Sequence, residues 1–139
     1  MALETVYTET ANQQIGTETI EDAEISNNSV LHGPKYSDLL ELLGHDRLSE
    51  RVVALIQRIE ADLPALLAAS TVSDLQTRAH AMAGLCGIFG IDRLYALLGE
   101  VESACKDDDW LKAQDIVELL PRIWQQTRTA LRQKIAGPA

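Results

Sequence analysis

Aromatic residues are nearly missing from this chain: two tryptophans, three tyrosines and one phenylalanine make up 4% of its 139 residues. With so few rings, and with Leu and Ala abundant, the chain has little material for strands and much for helices. Only two cysteines are present, Cys86 and Cys105, which excludes a disulfide framework. Each falls on an apolar seam and reads as a reduced core thiol. His32, His45 and His80 are far apart and show no paired ligand spacing, so no metal site is expected. No apolar run approaches 18 residues, and no basic start leads into an apolar block. Neither a membrane span nor a signal peptide is expected, and the chain reads as soluble and cytoplasmic. Bases are outnumbered 12 to 21, and the first 34 residues hold six acids and no Lys or Arg, so they carry −6 of the formal −9. No basic stripe remains that could follow a phosphate backbone, which argues against a nucleic-acid partner.

What is present suits one domain with a single core, and is too short for a kinase or ATPase. Residues 1–34 are polar and acidic without apolar periodicity and read as a mostly disordered tail. Residues 136–139 read as a disordered C-terminus. Between them, 35–135 read as a helical bundle. A short helix is expected from about Lys35 to Leu43, ended by Gly44. A longer one follows, capped by Asp46, with Leu48, Val52, Leu55, Ile59, Leu63 and Leu66 inward and Pro64 bending or weakening it near its end. The next is expected over 73–89, with Ser73 and Gln76 forming a capping box. Beyond Gly90, Ile91, Leu94, Leu98, Val101 and Cys105 recur at helical spacing. Asp107, Asp108 and Asp109 end that helix and cap a last one. Its inward side holds Ala113, Val117, Leu120, Trp124, Thr127 and Leu131, with a kink expected at Pro121. The fold class that follows is all-α: an antiparallel four-helix bundle with a short additional N-terminal helix.

One helix combines an ordinary core seam with an unusual opposite side. Leu75, Ala79, Met82, Cys86 and Phe89 form the seam, at spacings of 4, 3, 4 and 3. His80, Gly84 and Gly87 fall roughly 120–180° away. Glycine inside a helix costs about 1 kcal/mol relative to alanine, so two beside one imidazole need a reason. Clearance for a partner's backbone supplies it. A purely structural bundle explains neither glycine.

The run Ala79-His80-Ala81-Met82-Ala83-Gly84, with Phe89-Gly90-Ile91-Asp92-Arg93-Leu94 after it, resembles the signature of histidine-containing phosphotransfer (HPt) domains. Tyr36 to Gly44, Leu63-Pro64 and Asp109-Trp110 also sit where that family has similar features, so the resemblance spans about residues 36–135. It implies a helical bundle that relays phosphoryl groups, with His80 as phosphoacceptor and Gly84 as the motif glycine. Where many members have Lys three positions after the histidine, this chain has Ala83. The partners it implies are receiver domains of a hybrid histidine kinase or a response regulator, with Mg²⁺ carried by the receiver and no cofactor in this chain.

The chemistry asked of His80 is simple. A neutral imidazole keeps one nitrogen lone pair free, and its attack on phosphorus is nucleophilic catalysis governed by positioning and charge neutralisation. Gln76, one turn earlier, is the residue expected to hold the other ring nitrogen. Gln76, Ala83, Gly84 and Gly87 are thus the supporting or partner-facing set. No phosphate cradle for autokinase activity is visible. The expected function is a monomeric phosphorelay intermediate, loaded from a receiver aspartate and unloaded onto a response regulator. The alternative is an unphosphorylated bundle of the same shape that sequesters a receiver or another regulator.

Overall fold

The computed structural model describes residues 30–136; of the tail expected over 1–34 and the end expected over 136–139, residues 1–29 and 137–139 lie outside the described residues, whereas Gly33, Pro34 and Ala136 are helical. Among the described residues six helices follow in order: α1 Gly33–Leu43, α2 His45–Leu67, α3 Val72–Phe89, α4 Asp92–Lys106, α5 Trp110–Val117 and α6 Leu120–Ala136. No strand occurs among the described residues. Helix α2 packs on α3, α3 on α4, α4 on α6, and α6 back on α2, which closes a four-helix ring. Helix α5 lies against α4, and α1 against α2 and α3. The all-α bundle with an additional N-terminal helix is therefore the observed architecture.

The apolar seams read from spacing are the core. Leu75, Ala79 and Cys86 of α3, Leu98 and Val101 of α4, and Ala113, Leu120, Thr127 and Leu131 of α5 and α6 are all fully buried. Burying one leucine side chain stabilises the fold by about 1.5–3 kcal/mol, so these stripes hold the ring together. Thr127 fits because its hydroxyl donates to the Ile123 carbonyl at 2.8 Å. Trp124 fits because its indole N–H reaches the Glu60 carboxylate at 3.2 Å, which also pairs with Arg128 at 2.9 Å. Phe89, expected in the seam, is only half-buried, since it closes the last turn of α3.

Helix ends depart from expectation where competing caps are available. Helix α1 starts at Gly33 rather than Lys35; His32 is its N-cap, accepting on Nδ1 from the Lys35 amide at 3.0 Å, and Leu31 is buried. Gly44, with φ of 83°, ends α1 and is also the N-cap of α2, so Asp46 lies in the first turn instead of capping. Thr71 rather than Ser73 caps α3, accepting from the Asp74 amide at 3.1 Å. The last helix is broken rather than kinked. Pro121 has no N–H for the Val117 carbonyl and disfavours helical geometry at the residue before it. Helix α5 accordingly stops at Val117, and the Leu119 amide turns to Ile116 at 2.9 Å.

The acidic run performs both expected tasks. Asp107 is the C-cap of α4, and the Asp109 side chain accepts from the Lys112 amide at 3.1 Å to cap α5.

The α3–α4 connection positions everything that follows. Gly90 takes the left-handed conformation (φ 69°) that glycine adopts without strain. The Ile91 amide reaches back to the Cys86 carbonyl at 3.0 Å, the six-to-one bond of a Schellman ending. The His32 amide donates to the Gly90 carbonyl at 2.7 Å, docking the start of α1 on the same turn.

Candidate functional site

His80 and Glu102 lie at matching distances from that turn. His80 is ten residues before Gly90 and Glu102 twelve after it. At 1.5 Å per residue both stand roughly 15–18 Å along their helices, so the short connection brings them face to face. His80 Nδ1 lies 2.8 Å from Glu102 Oε2. An ionised carboxylate can only accept, so Nδ1 is the protonated nitrogen and donates. The neutral ring then has its lone pair on Nε2, which makes no hydrogen bond among the described residues. The imidazole side chain is 80% exposed while the Glu102 carboxylate is 18% exposed. A half-sunk acid thus holds a ring that projects into solvent.

An open groove of about 410 Å³ runs beside the ring, lined by Gln76, Thr77, His80, Glu102 and Lys106. Gln76 is present, as expected, but it does not hold the ring; Glu102 takes that nitrogen from the neighbouring helix. The Thr77 hydroxyl is turned back onto the Ser73 carbonyl at 2.9 Å. Beyond His80, a β-carbon added at Gly84 would meet nothing within 4 Å, whereas one at Gly87 would lie 3.4 Å from the Tyr95 ring. The two glycines therefore differ: Gly84 faces open space and Gly87 makes room for Tyr95. Ala83 does not share this face. At 5% exposure it is buried, because three residues on from His80 turns it about 60° toward the core seam.

Helix α4 contributes a stripe that sequence reasoning missed. Tyr95, Gly99, Glu102 and Lys106 recur at spacings of 4, 3 and 4, and Gly99, like Gly84, has nothing within 4 Å of an added β-carbon. A signal was available. Glu100 and Glu102 stand ten and twelve residues after Gly90, near the distance of His80 before it, and rotation about the α4 axis makes Glu102 the acid that meets the ring.

A second hollow, about 340 Å³, lies on the other flank of α3, lined by residues that include Arg58, Asp62, Asp74 and Arg78. Its charges are satisfied within their own helices, Arg58 with Asp62 at 2.7 Å and Arg78 with Asp74 at 3.1 Å. Its one hydroxyl, that of Thr77, donates to the Ser73 carbonyl, and no base among the described residues lies against it to activate it. The thiols are equally unsuited to reaction: burial pushes Cys86 up to about 12, and burial, then the Glu102 charge, raises Cys105.

The arrangement can therefore do one kind of chemistry well: present an oriented nitrogen nucleophile to a large electrophile arriving from solvent. No helix among the described residues is long and apolar enough to cross a membrane. No curated protein and no solved structure matches the chain. The Hpt domain family model matches residues 45–133, more than half of the chain and all of α2 to α5. The chain belongs to the Hpt domain family, whose role is histidine phosphotransfer in phosphorelays and whose partners are receiver domains.

Proposed function

We propose that His80 is the phosphoacceptor, taking a phosphoryl group from the aspartyl phosphate of a receiver domain, such as that of a hybrid histidine kinase, and passing it to a response regulator. The observation that supports this most directly is the held, exposed ring: Nδ1 donates to Glu102 at 2.8 Å and Nε2 is left open. In the transfer, the Nε2 lone pair forms the new N–P bond as the P–O bond to the aspartyl carboxylate breaks. The free carboxylate leaves on the partner, and Nδ1 keeps its proton. The ring gains positive charge as this happens, and the Glu102 carboxylate stabilises it where it develops. The receiver brings the Mg²⁺ that neutralises the phosphoryl oxygens. Gly84 and Gly99, each about one turn from His80 or Glu102 toward the Gly90 connection, leave space for the receiver's backbone.

Incubation with a phosphorylated receiver domain tests this reading. Acid-labile, alkali-stable label is expected on the unaltered chain and none on His80→Gln. Equal labelling of His80→Gln overturns it. A chain that binds receivers tightly and never takes label is instead a sequestering module.

A further inference from the structure

Of the five residues lining the groove beside His80, one is a cation. Lys106 is exposed, sits one turn beyond Glu102 on the same stripe of α4, and its ammonium has no ion-pair partner among the described residues. The nearby arginines are committed elsewhere: Arg78 to Asp74 and Arg58 to Asp62, both on the far flank of α3. Position 83 supplies nothing, since Ala83 is uncharged and buried.

The need for a cation follows from Glu102. The carboxylate that holds the ring would lie beside a phosphoryl group carrying up to two negative charges on Nε2, and like charges at such range oppose each other. Asp107, Asp108 and Asp109, in the turn after α4, add to that field. We infer that Lys106 is the phosphoryl-contacting cation of this site, with its ammonium reaching along the groove to the phosphoryl oxygens on His80. This rests on the proposed phosphorylation of His80. It makes the charge balance of the site a product of two helices: α3 carries the nucleophile, and α4 carries both the acid that orients it and the base that receives its cargo.

The test uses the full chain phosphorylated with potassium phosphoramidate, a small donor that needs no partner, and follows the ³¹P resonance as pH is varied. A neighbouring ammonium favours the dianionic phosphoryl group. Lys106→Ala is therefore expected to raise its last ionisation by roughly 0.3–0.7 pH units, the size of an exposed ion pair. Lys106→Glu raises it further, and Lys106→Arg returns it toward the unaltered value. Circular dichroism confirms that each variant is folded. Identical titration curves in all four proteins overturn the role of Lys106 and leave His80 standing. Phosphoramidate labelling of His80→Gln equal to that of the unaltered chain removes the proposed function itself.

Discussion

The ring of Tyr95 lies against Gly87, with its Cε1 3.4 Å from where a β-carbon would sit, while one turn earlier the same helix leaves Gly84 facing open space. Two glycines of one motif are thus bare for different reasons. Replacing Gly84 by Ala introduces no clash in the free protein and removes the helix penalty, so a stabilisation of about 0.5–1 kcal/mol is expected from urea unfolding. The same variant is expected to accept phosphoryl groups from a receiver more slowly, because the space is for the partner. Gly87→Ala should gain less stability, since the new methyl meets Tyr95.

Glu102→Ala removes the acceptor for Nδ1. The ring then loses its fixed tautomer, and ¹⁵N NMR of His80 should show the proton distributed over both nitrogens. Loss of one charge-assisted hydrogen bond at an exposed site is worth roughly 1 kcal/mol, which corresponds to about a fivefold slower transfer. Gln76→Ala should leave both the tautomer and the rate unchanged.

Gly90→Ala is expected to damage the site from a distance. The left-handed φ of 69° costs a residue with a side chain about 1–2 kcal/mol. The new β-carbon would also come within 3.0 Å of Lys35 Cβ. Thermal unfolding should show the loss in stability. Phosphotransfer should fall too, because the turn sets the register that brings His80 to Glu102.

Alkali should destabilise the fold through its thiols. Cys86 ionises near 9.0 when free and at about 12 in the folded chain, where burial holds the proton on. Between those values the unfolded chain binds fewer protons than the folded one, so stability falls as pH rises, by up to about 1.4 kcal/mol per pH unit for the fully buried thiol. Denaturation midpoints measured across pH 8–11 should show this slope, reduced in Cys86→Ala. At neutral pH Cys86 should not react with thiol reagents until the protein unfolds.

The sequence made the helices and their buried faces legible, since periodicity records what each residue does within its own element. Every residue named for the inner side of the last helix is buried, Trp124 and Thr127 included. It put the α3 cap at Ser73 because the Ser73–Gln76 spacing fits a capping box, although Thr71 stands at the same spacing from Asp74. Only the backbone at Thr71 (φ −126°, ψ 152°) decides between them. Glu102 was missed for a different reason. Its partner is 22 residues away, and pairing across a hairpin depends on register and rotation about the helix axis. Within α3 itself, Gln76 is the residue one turn from His80 that could reach the ring, and helical spacing points only that far. The break before Pro121 was foreseen as a kink, because the number of carbonyls that turn away from the helix is settled by packing on α4 and α2.

Phosphohistidine exists as two regioisomers, and the Glu102 contact selects between them. With the π nitrogen occupied by its proton and acid, only the τ nitrogen can carry the group. This chain should form the τ isomer alone, a choice made by a side chain that never touches the phosphorus.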